Sequence, residues 1–259
     1  MKYIFSIVII TLISSSLHAL PWSENTDHKA FLEAVQILNN GKPKDALDIF
    51  MQLKDRNYDK DNALLLFTIG RALREIGKKD KDPSILYKSR IYFHKYCDDP
   101  STSKDDKVIA QVYIAYLMLD MGEYSEGIKI IDTLEYTTDK KYILDAARCS
   151  AYLHNAEGYR LYRNDMHQEA LAHFRKAHSD METCKLVPSS DSALIANNLI
   201  DTALEVIYST KKGERINLIN EMESLCNKYA NTINEYPKLN NTCRRVAHAR
   251  ERYVTSGQK

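Results

Sequence analysis

Four histidine side chains lie close together in the sequence and are its first candidates for chemistry: His154, His167, His173 and His178. An imidazole can bind a metal ion or transfer a proton near neutral pH. Ligands that share one metal on a helix should be three or four residues apart, and His173 and His178 are five apart. The sequence therefore favours packed or solvated imidazoles, and we expect no metal site and no cofactor.

Short motifs that support catalysis are missing from the sequence. It contains no glycine-rich phosphate-binding loop, no nucleophile elbow and no zinc-protease helix motif. Carboxylates are abundant, but no pair of them stands in an apolar setting of the kind that general acid–base catalysis requires. We therefore expect no catalytic residues and no enzyme activity.

The chain has five cysteines and no Cys-x-x-Cys motif, which argues against a zinc knuckle or a thioredoxin-type site. If neighbouring helices are antiparallel, Cys149 can lie near Cys184, and Cys226 can face Cys243 across the last helix pair. The alternative is that these cysteines are buried thiols that pack as small hydrophobic residues. Because the count is odd, at least one remains unpaired within the chain, and Cys97 is the expected one.

The first nineteen residues have the pattern of a secretory signal peptide. Lys2 precedes an apolar run, small residues follow it, and cleavage is expected after Ala19. A membrane anchor is the alternative, but an apolar core of about ten residues is too short to cross ~30 Å of hydrocarbon. Residues 20–259 then form the exported chain, with expected localisation in the periplasm or outside the cell.

Charge and hydropathy narrow the possible partners of residues 20–259. Removing Lys2 from the 36 basic residues leaves 35 against 35 acidic ones, so the formal net charge is zero. This balance does not predict a nucleic-acid partner. No second apolar run is long enough for a membrane span, so we expect no stable membrane span after cleavage.

Small and large residues alternate at helical spacing along the chain, and this pattern predicts closely packed helix pairs. In the stretch from His154 to Met181, small side chains at Gly158 and Ala170 allow two helices to approach while Phe174 fills the seam. The same pattern recurs upstream. The residues assigned to helix packing are Ala46, Phe50, Gly70, Ser89, Phe93, Ala115, Gly127, Gly158, Ala170 and Phe174.

This pattern resembles the tetratricopeptide repeat (TPR) family, whose unit is a helix–turn–helix. The Gly122-x-Tyr124 turn matches the repeat consensus, and His154 and His167 stand where the repeat usually has aromatic residues. The resemblance implies an all-α solenoid of about five units plus a C-terminal capping helix, with about eleven helices and no strands. The spacings between small positions, 43, 38 and 43 residues, exceed the usual repeat.

Local signals mark several expected helix ends. Gly41 and Pro43 separate the first two helices, and the run Lys78–Asp82 reads as a solvated loop inserted before Pro83. A helix begins near Lys141, and Ser189-Ser190-Asp191 is an N-cap signal for a long helix that ends near Lys211–Gly213. The last helix starts at Pro237 and continues through Tyr253.

The repeat register also implies a groove lined by the first helix of each unit. Its exposed positions combine tyrosine and arginine, which anchor many protein interfaces. The expected groove residues are Arg71, Arg74, Tyr113, Tyr116, Asn155, Tyr159, Tyr162 and Arg163. The alternative is that these tyrosines pack between helices. The full Lys/Asn/Arg set with which some TPR proteins bind a C-terminal carboxylate is not found.

These expectations together describe a non-catalytic exported TPR scaffold or adaptor that binds a protein or peptide partner through its concave face. One alternative is a ligand-handling or accessory protein for cell-wall glycan or peptide processing. Another is a secreted factor that acts on host proteins. The sequence leaves the identity of the partner and the oligomeric state open.

Overall fold

The computed structural model describes residues 26–134 and 140–255. The expected signal peptide, residues 1–19, lies outside the described residues. Within them the chain is helical and has no β-strand, which confirms the all-α class. Eleven of the helices are longer than a single turn, as expected. None of the described helices is both long and apolar enough to cross a membrane.

The chain divides into two compact units, Met1–Met121 and Gly122–Lys259. The helices of the N-terminal unit are α1 (Thr26–Asn39), α2 (Pro43–Asp55), the single turn α3 (Tyr58–Asp61), α4 (Leu64–Asp80), α5 (Pro83–Asp98) and α6 (Lys104–Met121). Those of the C-terminal unit are α7 (Tyr124–Asp132), α8 (Lys140–Tyr162), α9 (His167–Thr183), α10 (Ser190–Ile207), α11 (Lys212–Lys228) and α12 (Pro237–Arg250). A 3₁₀ turn (Ile233–Glu235) precedes α12, and a π-helical segment (Glu251–Thr255) follows it.

In two antiparallel helix pairs, a glycine on one helix allows a phenylalanine ring on the other helix to pack closely against its backbone. A Cβ atom on Gly70 of α4 would lie 2.8 Å from the Phe93 ring of α5, and one on Gly158 would lie 3.0 Å from the Phe174 ring of α9. Ser89 Oγ also donates to the Gly70 carbonyl oxygen at 2.7 Å. The missing side chains therefore create the space that the phenylalanine rings fill.

All ten residues assigned to helix packing are buried in the structure. Ala46 and Phe50 belong to the core of the N-terminal unit together with Phe31. Ala170 and Phe174 belong to the core of the C-terminal unit. The remaining buried members are Gly70, Ser89, Phe93, Ala115, Gly127 and Gly158.

Alternate helices within each unit run parallel. In the N-terminal unit, Phe67 of α4 contacts Tyr113 of α6 with ring centroids 5.0 Å apart, and further along both helices Arg74 lies over Tyr116. In the C-terminal unit, Tyr152 of α8 donates to Asp191 at the start of α10, and further along both helices Asn198 donates to Asn155. These contacts require each of the two helices in α4–α6 and in α8–α10 to run in the same direction.

Helix ends follow local capping chemistry where the sequence carries it. The Gly122 backbone has φ of 80° and makes the turn between α6 and α7. Helix α8 starts at Lys140, as expected from the periodicity. Ser189 caps α10 in a capping box with Ser192, which confirms the predicted N-cap.

Two expected boundaries are wrong. The predicted Lys78–Asp82 loop does not form, because α4 continues through Asp80. Lys81 caps the end of the helix, and its φ of 54° is left-handed. Helix α10 ends at Ile207, four residues before Lys211. There Arg215 donates to the carbonyl oxygens of Ile207 and Thr210, so side-chain bonds satisfy the backbone where the helix would otherwise continue.

Cys226 and Cys243 form a disulfide that joins α11 to α12, with their Cα atoms 5.8 Å apart. The other expected pair, Cys149 with Cys184, does not form. Cys184 Sγ instead donates to the carbonyl oxygen of Leu144, which lies five residues before Cys149 on α8. Cys184 therefore faces α8 more than one turn away from Cys149, since a helical turn contains 3.6 residues.

Candidate functional site

The four groove residues expected in the N-terminal unit pack against one another and against other side chains of that unit. Arg74 Nε donates to Asp120 Oδ2 at 2.6 Å, and the Arg74 guanidinium lies 5.1 Å from the centre of the Tyr116 ring. Arg71 lies 6.0 Å from the centre of the Tyr113 ring. Arg74 and Tyr116 are only 6% and 7% exposed, so their expected exposure is wrong.

Asp120 explains why an arginine is buried at this position. Burial by itself lowers the pKa of the Arg74 guanidinium, but the Asp120 carboxylate outweighs this effect and the pKa is raised. Lys78 approaches the other oxygen of Asp120 at 3.4 Å. Sequence reasoning missed Asp120, which is 46 residues from Arg74 in the chain.

The groove residues expected in the C-terminal unit are more accessible. Tyr159 is 52% exposed, and Arg163, in the turn that follows α8, is also exposed. Asn155 is half-buried and accepts a hydrogen bond from Asn198 Nδ2 of α10 at 3.0 Å. Tyr162 is half-buried and packs against the His167 ring at 5.0 Å between centroids.

The residue that completes this surface is Leu194 of α10, which is 50% exposed. It precedes Asn198 by one helical turn, whereas Tyr159 follows Asn155 by one turn. Because α8 and α10 are parallel, Leu194 and Tyr159 flank the Asn155–Asn198 pair on opposite sides. We call this surface the α8–α10 face; it consists of Asn155, Tyr159, Tyr162, Arg163, Leu194 and Asn198.

One end of the α8–α10 face is held in place by Asp201. Its carboxylate accepts hydrogen bonds from Asn197 Nδ2 at 3.1 Å and from Thr242 Oγ1 at 3.4 Å. It also forms an ion pair with Arg245 of α12. Burial is the main cause that raises the pKa of Tyr162, and the carboxylates of Glu205 and Asp201 raise it further. Tyr162 therefore stays a neutral hydrogen-bonding group at this end of the face.

Two of the four histidines, the buried His154 and the half-buried His173, form a pair between α8 and α9. His154 Nδ1 of α8 lies 2.8 Å from His173 Nδ1 of α9. A hydrogen bond at this distance requires a proton on one nitrogen and a lone pair on the other. Burial first, and the neighbouring imidazole second, lower the pKa of His154 to about 4, and burial lowers the pKa of His173. The two imidazoles are thus a neutral pair at pH 7.

The other two histidines have separate environments. His167 packs on Tyr162, and His178 lies within 3.3 Å of the Tyr229 hydroxyl. Among residues 26–134 and 140–255, no three His, Cys, Asp or Glu side chains are grouped so that they could hold a metal ion. The pairing of His154 with His173 was missed because the two residues lie on different helices.

We expect the stability of the chain to fall as the pH drops from 7 to 5 because of His154. The unfolded pKa of a histidine is about 6.5, so at pH 5 the unfolded state binds a proton that the buried imidazole does not bind. Stability from this group is complete above pH 6.5 and is lost as the pH falls toward 4. With the folded pKa at about 4, the loss between pH 7 and pH 5 is about 2 kcal/mol.

This pH dependence can be measured by urea unfolding of the wild type and of His154→Phe at both pH values. The phenylalanine does not titrate, so the difference in unfolding free energy between pH 7 and pH 5 should shrink by about 2 kcal/mol in the variant. His248→Phe is the matched control, because that imidazole is exposed on α12. Equal pH dependence in wild type and His154→Phe would show that the pair is not responsible.

Two shallow depressions lie between α9 and α11, with volumes of about 340 and 250 Å³. Arg175 and Glu221 line both of them and bind each other through two hydrogen bonds of 2.8 and 2.6 Å. The charged groups that reach both depressions are therefore already paired. The α8–α10 face, with Tyr159 and Leu194 exposed, is the better candidate site.

Comparison with protein-family models gives no match to this chain, and comparison with curated proteins gives none.

Proposed function

We propose that this chain is a non-catalytic adaptor of the TPR type that binds an extended segment of a protein partner. Its antiparallel helix pairs, the glycine–phenylalanine seams and the parallel alternate helices support a TPR-like stack. A stack of this kind presents the first helix of every pair on one side, and in the C-terminal unit these helices are α8, α10 and α12.

The observation that carries this proposal is the composition of the α8–α10 face. Tyr159 and Leu194 supply apolar anchors, each about half exposed, on opposite sides of the Asn155–Asn198 pair. Only one donor of Asn198 and one lone pair of Asn155 are used in that pair, so both amides retain donors and acceptors. A peptide main chain carries the complementary N–H and C=O groups, and its side chains can contact Tyr159 and Leu194.

Export to an oxidising compartment is part of the proposal. The Cys226–Cys243 disulfide supports it, since structural disulfides persist mainly in secreted and periplasmic proteins. The signal-like pattern of residues 1–19 supports it as well. We therefore place the partner in the cell envelope or outside the cell.

The proposal is tested by affinity capture from a soluble envelope extract with wild type and the double variant Tyr159→Ala/Leu194→Gln. A partner held by this face should be enriched by the wild type and bound at least about thirtyfold more weakly by the variant, because losing even one interface anchor costs about 2 kcal/mol. Tyr208→Ala is the matched control, since Tyr208 is 67% exposed but lies directly after α10, outside the α8–α10 face.

The assignment of this face would be contradicted if the partner were lost equally from the double variant and from the control. It would also be contradicted if Tyr159→Ala/Leu194→Gln retained the partner. Turnover of a muropeptide or another substrate by the purified chain would contradict the adaptor proposal itself.

A further inference from the structure

The solvent side of α5 has an apolar residue at its centre. Ile91 is 52% exposed, and it lies on the side of the helix opposite to the buried residues Ser89 and Phe93. An amphipathic helix buries an apolar stripe and carries polar residues beyond the border of that stripe. Ile91 is far from that border, so its exposure is not an edge effect of core packing.

The helical neighbours of Ile91 are aromatic or basic. On a helix surface, the nearest side chains are three and four residues away in both directions. For Ile91 these are Tyr87, Lys88, His94 and Lys95, and none of them is acidic. We call these five residues the α5 face.

In the part of the chain that the structure describes, neither Lys88 nor Lys95 forms a close ion pair with a carboxylate. Lys88 is attracted to Asp82 only from a longer distance, and the Asp82 carboxylate is already hydrogen-bonded to Ser84. Lys95 Nζ lies 5.6 Å from the centre of the Tyr92 ring, and Arg90 Nε lies 3.4 Å from His94 Nε2. Elsewhere in the N-terminal unit, Lys44 forms an ion pair with a carboxylate. The ammonium groups of the α5 face can therefore interact with an anionic partner.

Carboxylates lie at both ends of the helix that carries this surface. Asp82 precedes α5, and Asp98 is its last residue. On the side of α2, the exposed Met51 contacts the Tyr92 hydroxyl at 4.0 Å and adds apolar area. Along α2, the exposed Asp48 and Asp55 lie three residues before and four residues after Met51.

We propose that the α5 face docks the protein on an anionic lipid surface. Tyrosine and isoleucine can enter the headgroup region without a complementary pocket, while lysines attract acidic lipids. A specific protein partner usually requires about 800 Å² on each side, or some 20 residues, and five side chains on one helix are far fewer. Attraction to lipid needs no such area, because each cation contributes separately.

The test is sedimentation of the full chain with two kinds of vesicle, phosphatidylcholine alone and phosphatidylcholine with about one third phosphatidylglycerol. We expect tighter binding to the anionic vesicles than to the neutral ones, and salt should reduce this difference. Lys88→Gln/Lys95→Gln should bind roughly 25-fold more weakly, about fivefold for each cation removed. Ile91→Gln should bind several-fold more weakly at unchanged charge.

Lys211→Gln/Lys212→Gln is the matched control, because it removes two exposed cations from the C-terminal unit and should bind like wild type. Residues 1–19 are common to all variants, so their contribution cancels in the comparison. The proposal is overturned if the wild type binds anionic vesicles no more tightly than neutral ones at low salt. It is also overturned if both α5 variants bind anionic vesicles as tightly as the control does.

Discussion

Asp120→Ala should destabilise the chain by about 3–5 kcal/mol, the largest effect that we expect from one substitution. Arg74 and Asp120 have side chains that are only 8% and 7% exposed, and their ion pair is 2.6 Å long. Without the carboxylate, the Arg74 guanidinium stays buried beside Tyr116 and loses its charged partner. An unpaired buried charge is far more costly than the loss of a surface pair.

Urea unfolding measures this effect, and Lys44→Ala is its matched control. The Lys44–Asp80 pair has side chains that are 67% and 37% exposed, so its loss should change the unfolding free energy by less than about 1 kcal/mol. Arg74→Met/Asp120→Leu should recover most of the loss because neither charge remains. A change within 1 kcal/mol for Asp120→Ala would mean that solvent reaches Arg74 in the folded protein.

Removing the disulfide with Cys226→Ser/Cys243→Ser should lower the unfolding free energy by about 3 kcal/mol. The bond closes a loop with a sequence separation of 17 residues, and it restricts the unfolded chain more than the folded one. It also ties α12, whose Leu239 and Val246 are buried in the core of the C-terminal unit, to α11.

The measurement is denaturant unfolding with and without reductant. Reductant should destabilise the wild type to the level of Cys226→Ser/Cys243→Ser and leave that variant unchanged. Cys97→Ser is the control, because that half-buried thiol donates only a weak hydrogen bond to the Lys107 carbonyl oxygen at 3.9 Å. If the wild type is insensitive to reductant although the disulfide is reduced, its contribution to stability is refuted.

Local signals explain why much of the fold could be predicted from the sequence. Gly122 and Ser189 act on the backbone within a few residues, and the structure has the turn and the cap that they predict. The seam of Gly158 with Phe174 depends only on helical spacing and side-chain size. The Lys78–Asp82 prediction failed because charged residues are as compatible with an exposed helix as with a loop.

The candidate site could be predicted less well, because it depends on the neighbouring helix. Arg74 and Tyr159 both occupy first helices of pairs and differ little in local sequence signal. Arg74 is buried because α6 brings Asp120 against it, whereas Tyr159 has no such neighbour and stays exposed. Leu194 joins the α8–α10 face for a similar reason, since the Asn155–Asn198 contact sets the register of α10 against α8.

The burial of the three remaining thiols affects thiol–disulfide exchange. Burial raises the pKa of Cys97, and it raises that of Cys184 to about 11. Cys149 is fully buried. Exchange requires a thiolate that can reach a disulfide sulfur, so these side chains attack the Cys226–Cys243 bond slowly. The odd number of cysteines in the chain therefore does not lead to rapid reshuffling of its disulfide.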